Sequence, residues 1–500
     1  MSLQKRSWSL LPYLLILLLI SLPWQLRFII PSTFTYYFGL FHEYTSFFIY
    51  LTDLIFALTL LVWGGELSSG KRKFKLPPPL ISLALIAILA SSLAPIFHTT
   101  SQALVIYKTI KLTEFILFFF LISNRILPLS KMIFWFAIGV IGQAVLAVIQ
   151  FFQQSSVGLK YLGEIFLQPQ LPGIAKFETA QGLVMRAYGT LPHPNVLAGF
   201  LVIALLFSLI FLLKPGKYFV SLTLAVFLPA LLVSFSRHAW LGLALALFIL
   251  VILLRKKLGN LIKQQELLLL VPPLLTLILM LSLIFPVLNQ RLDLVQFPQE
   301  EAVQGRWNGI ADSFQLLRQE NNWLIGVGPG NFTLRSAVIA EKDLYPWERQ
   351  PVHNFFLLIW SEQGILGLVS FLLLLGAILA GIWQKKLKQP LELQILLSTT
   401  VIALFILSLF DHYLVDIQQG ALLFWLTLGL IVASWHKNMV AELSQPVLPT
   451  IPSLAELFPA KSKAKKQAAS EAIAKGTQQK HGDKPQANKN KQKKKKQRKR

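Results

Sequence analysis

The chain has 500 residues, of which 54% are hydrophobic and 14% charged, with a formal net charge of +24 and a mean hydropathy of +0.59. Soluble domains carry roughly a quarter charged residues, so an ordinary soluble enzyme is excluded. The lack of cysteine excludes disulfides, Cys-ligated zinc, iron–sulfur clusters and thiol nucleophiles. The positive balance is not a nucleic-acid footprint: Lys461–Arg500 holds 16 Lys/Arg against Glu471 and Asp483, which is +14 of the total.

The apolar residues come in runs of about 18–23, enough to cross a hydrocarbon core of ~30 Å as helices. Helices satisfy their own backbone hydrogen bonds in lipid, and the alternation of barrel strands is absent. Spans are predicted at 8–24, 46–63, 78–97, 101–122, 131–152, 192–213, 218–234, 238–254, 267–287, 354–382, 392–410 and 420–436. A short aromatic loop, Arg27–Thr45, follows the first. No cleavage site follows that span, so it reads as an anchor.

Basic residues fall in alternate connections. Lys5 and Arg6 precede span one; Lys71, Arg72, Lys73 and Lys75 follow span two; Arg125 and Lys131 follow span four; Lys214 and Lys217 follow span six. Arg255, Lys256, Lys257 and Lys263 follow span eight, Lys385, Lys386 and Lys388 span ten, and the basic tail span twelve. The short opposite loops 98–100 and 411–419 have no Lys or Arg. The positive-inside rule puts the basic side and both termini in the cytoplasm.

The expected fold is therefore an all-α membrane protein of about twelve transmembrane helices. Its expected segments are helices 1–5 over 1–152, a first extracytoplasmic loop over 153–191, helices 6–9 over 192–287, a large extracytoplasmic loop over 288–353, helices 10–12 over 354–437, and a disordered Lys-rich cytoplasmic tail over 438–500. The large loop carries an amphipathic helix, Val303–Arg318, and a GVGPG turn, Gly326–Gly330. Long ordered loops on a rigid scaffold often carry function. The tail is low in complexity. It reads either as a solvated tail with a topological role or as a contact for anionic lipid headgroups or ribosomal RNA, with no specific nucleic acid expected.

No P-loop, Rossmann glycine pattern, HExxH or Asp pair with metal-ligand spacing is present. What remains is polar residues at the outer helix ends, where they face a cavity more often than lipid. The segment Arg186–Asn195 (RAYGTLPHPN) enters span six. A helix start explains its prolines, and Asn195 as a cap; Arg186 and His193 together are not explained that way. The segment Ser234–Gly242 (SFSRHAWLG) holds Arg237 at the interface, as a snorkelling side chain or a functional one. Arg306 beside Trp307 reads equally as a cation–π pair or a solvated helix start.

The sharpest segment opens span ten: His353, Asn354, Trp360, Glu362, Gly364 and Gly367. An imidazole at the surface exchanges protons near neutral pH. Glu362 lies about 180° around an ideal helix from His353, so a direct dyad within one straight helix is not expected, and Glu362 instead bonds another span or shapes the packing. In span four Lys108 and Lys111 share a face; Lys111 and Glu114 neutralise each other, leaving Lys108 for an anion. Asp411 and His412 end span eleven and close the cavity.

With these pieces assembled, the chain resembles the O-antigen ligase and polymerase superfamily of bacterial envelope glycosyltransferases. The matching segments are RAYGTLPHPNVLAGF (186–200), SFSRHAWLGL (234–243), GRW with NNWLIGVGPGNF (305–332) and HNFFLLIWSEQGILGL (353–368). They follow the family order, with the large loop before the His helix; the Lys-rich tail is not a family feature. The resemblance implies a GT-C-like helical fold in the bacterial inner membrane and a polyprenyl-pyrophosphate-linked glycan donor. It also implies transfer at the outer leaflet to a glycan, lipid or protein acceptor, without cofactor, nucleotide or metal. By motif match His353 corresponds to the family's essential histidine, and Arg186 and Arg237 to arginines that engage the pyrophosphate.

Arg186, Arg237 and His353 are thus the expected catalytic residues. Lys108, His193, Asn195, Arg306, Asn354, Glu362 and Asp411 are expected to bind substrate. The rival expectation is a transporter of lipid-linked glycan. Transporters often show internal repeats and broken mid-membrane helices; no clear repeat is visible.

Overall fold

A computed structural model describes residues 9–37, 39–180, 182–213, 217–257, 264–291, 301–339, 345–384, 389–435 and residue 442. The expectations for Lys5, Arg6, Lys214, Lys263, Lys385, Lys386 and Lys388, for 292–300 and 340–344 of the large loop, and for the tail apart from Glu442 lie outside these residues.

The described chain is mostly helical: α1 (Leu11–Ser21), α2 (Leu51–Ser68), α3 (Pro79–Leu93), α4 (Gln102–Ser123), α5 (Leu129–Gln153), α6 (Pro194–Ser208), α7 (Lys217–Val233), α8 (Arg237–Leu254), α9 (Val271–Arg291), α10 (Glu301–Arg318), α11 (Asn322–Ile325), α12 (Phe332–Ile339), α13 (Phe355–Ile382), α14 (Leu391–Phe410), α15 (Tyr413–Asp416) and α16 (Gln418–Ala433). Among the described residues, eight helices are long and apolar enough to cross a membrane. The apolar helices α1, α7 and α16 are shorter. α4 has 22 residues but carries Lys108, Lys111 and Glu114. In chain order these helices fall on the expected apolar segments, with ends displaced by a few residues.

Every residue of α6 is buried, as is every residue of α16. α6 is the hub, packing against α5, α7, α8, α14 and α16. α13 packs on α3, α14 and α16, and α16 also packs on α4. α9 lies against α7 and leaves Leu274, Leu275, Ile278, Leu279 and Phe285 exposed, the apolar surface that a multi-pass protein turns to lipid.

Two features depart from the sequence reading. First, the segments expected to lie outside contain short antiparallel ribbons rather than plain loop. β1 (Arg27–Ile30) pairs with β4 (Phe47–Tyr50), setting Arg27 opposite Tyr50; β2 (Tyr36–Tyr37) pairs with β3 (Leu40–Phe41), and β5 (Lys176–Thr179) with β6 (Gly182–Met185). The aromatic and β-branched residues of these stretches suit strands. Arg27 closes the first ribbon by a two-point pair with Glu43, one arm at 2.7 Å, and lies over the Phe48 ring.

Second, α13 is not straight. Gly364 sits at φ 68°, ψ −172° inside it, a conformation open to glycine. The break frees carbonyls, and the GVGPG turn supplies their donors: Val327 N–H to Ser361 O at 2.8 Å and Gly328 N–H to Glu362 O at 2.9 Å. A Cβ on Gly364 would stand 2.0 Å from Leu324 O, so the two backbones interlock.

After the ends of α2 and α8 and at the start of α7, basic side chains meet acidic ones: Arg72 with Glu66 at 2.6 Å, Lys257 with Glu392 at 2.6 Å, and Lys217 with Glu266.

Candidate functional site

The site lies at the N-terminus of the central helix α6. Two glutamines of α5 fix the chain entering it. Gln143 Oε1 accepts the Thr190 N–H at 2.7 Å. Gln150 accepts from Gly189 N–H at 2.8 Å and donates to Gly189 O at 2.8 Å. His193 then caps α6, its Nδ1 accepting the Asn195 N–H at 3.1 Å, with Pro194 in the first turn. The cap expected of Asn195 is therefore made by His193, and the Asn195 amide is released for another task.

That amide bridges opposite charges. Arg186 Nη2 donates to Asn195 Oδ1 at 2.6 Å, and Asn195 Nδ2 donates to Asp411 Oδ2 at 2.6 Å. Arg186 Nε donates to Ser234 O at 2.8 Å, and Ser236 Oγ donates to Asn195 Oδ1 at 3.2 Å. The Ser234–Ser236 turn achieves this through Phe235 at φ 48°, a strained setting for a bulky residue. Its buried ring is held among Phe151, Phe177 and Trp240. Arg237, half-buried, opens α8 directly after this turn.

Beyond Asp411 the network reaches His353. Asp411 Oδ1 accepts the His412 N–H at 2.9 Å, and His412 Nδ1 lies 2.9 Å from Asp416 Oδ1. The His353 ring stands edge-on to His412 at 4.9 Å between centroids, and Tyr44 stands edge-on to His412 at 5.5 Å. Nitrogen or oxygen atoms of His353, Asp411 and His412 lie within 4.8 Å of one another, and this trio has the donor types of a metal site.

Burial pushes the His353 imidazole down to about 3, helped by the charges of His412 and Arg306. Burial also lowers His412, but Asp416 and Asp411 outweigh it and leave His412 above the ordinary histidine value. Burial opposes ionisation of Asp411; the neighbouring His353 and His412 reverse this and hold it below the usual carboxylate range. Burial lowers Arg186, and the charges of Arg291 and Arg306 add to that. His193 is driven well below its ordinary value, first by burial and then by Arg186. His353 is thus biased toward its neutral form, while the carboxylates of Asp416 and Asp411 make His412 the more basic imidazole of the two.

The remaining expected residues divide. Arg306 of α10 is close enough for its charge to be felt at His353 and Arg186, and its buried Nε has no hydrogen-bond partner among the described residues. Asn354 caps α13, accepting from Leu357 N–H at 2.9 Å, while its amide donates to Leu409 O at 2.9 Å. Glu362 does not meet His353; its carboxylate accepts Gly330 N–H at 2.9 Å and Phe332 N–H at 3.4 Å, so it organises the GVGPG turn. Lys111 pairs with Glu114 at 3.0 Å and with Asp53 as well. Lys108 Nζ donates to Asp416 O at 3.2 Å. Lys108, Glu362, Asp416 and Tyr44 line one cavity.

Sequence reasoning missed Ser236, Asp416 and Tyr44 as site members, and gave His412 only the role of closing the cavity. The spacing of His412 and Asp416, four residues apart, was the available signal.

These features define a multi-pass helical membrane protein with a charged site at the head of the wholly buried helix α6. A family model described as O-Antigen ligase matches residues 222–372, and over that stretch the chain is similar to the O-antigen ligase family. The matched stretch runs from α7 into α13 and includes Ser236, Arg237, Arg306 and His353; Arg186, Asn195 and Asp411 lie outside it. No curated protein matches the chain.

Proposed function

We propose that this protein transfers a glycan from a polyprenyl-pyrophosphate carrier to an acceptor hydroxyl at the outer face of the bacterial cytoplasmic membrane. In this reading twelve helices span the bilayer and both termini are cytoplasmic. The observation that carries it is the hydrogen-bonded path from Arg186 through Asn195 to Asp411 and His412, against which His353 stands. It couples a buried guanidinium to a neutral imidazole at one helix head. A pyrophosphate ester needs cations for the charge of its leaving group, and guanidinium supplies them in forked geometry. Arg186, Arg237 and Arg306, with Lys108 further in, take that role. His353 accepts the acceptor's hydroxyl proton; the oxygen attacks the anomeric carbon as its bond to the pyrophosphate breaks, and the pyrophosphate leaves with the electron pair. The configuration inverts. An anionic donor raises the basicity of His353 against the depression that burial imposes.

His193, Asn195, Asn354, Glu362 and Asp411 then act mainly by positioning. The ligase, polymerase and protein-glycosylating chemistries share this step.

The test is transfer by purified protein with a lipid-pyrophosphate glycan donor. His353→Ala and Arg237→Ala are each expected to lower transfer about 10²–10³-fold while the protein still inserts. Near-normal products from both variants overturn the assignment.

One observation favours transport of lipid-linked glycan instead: α13 is broken at Gly364, and broken helices mark many transporters. Here the GVGPG backbone fills the break. Formation of a new glycosidic bond separates transfer from flipping, which makes none.

A further inference from the structure

We propose that His353, Asp411 and His412 form a binding site for a late first-row divalent metal ion, with Zn²⁺ the best fit, and that its occupancy inhibits the protein. The inhibitory half rests on the role assigned to His353 above; the binding half does not.

The trio offers two imidazoles and one carboxylate, ligands suited to Zn²⁺. Their donor atoms lie within 4.8 Å of one another. Zinc bonds of about 2.0–2.2 Å place tetrahedral ligands about 3.3 Å apart, so modest side-chain rotations close the set. His412 Nε2 already stands 3.9 Å from Asp411 Oδ1.

The independent observation is the shell behind these groups. His412 Nδ1 is engaged by Asp416 Oδ1 at 2.9 Å. With the proton on Nδ1, this contact leaves the Nε2 lone pair facing Asp411, in the carboxylate–histidine–metal arrangement that orients ligating histidines. Asp411 is oriented in turn by Asn195 Nδ2 at 2.6 Å and the His412 N–H at 2.9 Å. Each of its oxygens keeps a second lone pair. Tyr44 packs on the edge of His412 and limits its swing. Arg186 and Arg306 oppose a divalent ion here, while Asp411 and Asp416 favour one. A bound Zn²⁺ occupies the His353 lone pair that the acceptor hydroxyl needs and leaves one coordination position for water.

The test uses the full chain in nanodiscs, stripped with chelator and dialysed against ZnCl₂, with bound metal counted by mass spectrometry. Substitution of Co²⁺ reads coordination through its visible bands. The wild type and His98→Gln, which changes an exposed histidine, are expected to bind alike. His412→Gln is expected to lose more than about 100-fold in zinc affinity, and Asp416→Asn about 10–100-fold. Size-exclusion profiles confirm that both variants remain folded, and Co²⁺ spectra that change in His412→Gln but not in His98→Gln place the ion. Equal zinc affinity in wild type and His412→Gln overturns the site. In the transfer assay Zn²⁺ is expected to inhibit the wild type, with recovery on adding chelator. Bound zinc with undiminished transfer overturns the inhibitory half alone. A chelator-treated wild type that binds zinc but makes no product instead defeats the glycosyltransferase reading.

Discussion

Replacing Asn195 by Ala tests whether the path from Arg186 to His412 holds the site together. The amide makes three hydrogen bonds, two of them at 2.6 Å to charged partners. Arg186 and Asp411 are both largely buried, at 9% and 4% exposure, so neither recovers its lost partner from bulk water. Charge-assisted hydrogen bonds contribute about 1.5–3 kcal/mol each, and stranding the partners adds desolvation. Arg186 keeps its bond to Ser234 O and Asp411 its bond from His412, so the loss stops at about 3–5 kcal/mol. Asn195→Leu removes the same bonds but keeps the volume. Both variants are expected to lower the thermal midpoint in detergent by several degrees and to reduce transfer at least tenfold, Leu no less than Ala. Asn195→Leu behaving as wild type in both measurements refutes the reasoning. A defect only in Ala assigns the effect to packing.

Further outcomes follow from other contacts. Because burial pushes His353 down to about 3, the group is already neutral well below pH 6.5, and kcat/KM is expected to show no acid limb near that ordinary histidine value; a limb at pH 6.5 that is lost in His353→Gln contradicts this. Gly364→Ala forces a side chain against Leu324 O at positive φ and is expected to cost about 3 kcal/mol or more, whereas Gly376→Ala, with open space around it in the same helix, leaves the melting curve unchanged. Glu362→Gln keeps an acceptor for Gly330 and Phe332 and is expected to retain most transfer, while Glu362→Ala loses the turn and most activity; equal loss in both would make the charge essential.

The helices were legible because long apolar runs have one stable form in lipid. Charged residues within α4 did not hide it, since Lys111 finds Glu114 one turn away. The ribbons at 27–50 and 176–185 were not legible, because strands this short lack a period long enough to separate from loop. For the site, motif spacing pointed to Arg186 and His353 but gave no hint of how they connect. The link runs through Asn195 and Asp411, 216 residues apart in sequence, and no local pattern encodes such a pairing. The break at Gly364 was hidden for the same reason: its stability comes from donors near residue 327, while the local sequence reads as continuous helix.

That interlock has a practical consequence for anyone building chimeras of this protein. The turn at 326–330 and the half-helix at 355–364 share main-chain hydrogen bonds, so they form one cassette. A chimera that exchanges the large loop up to residue 353 cuts through it and leaves each half with a stranger's partner. Crossovers placed after Gly367 carry turn, histidine and helix break together and preserve their fit.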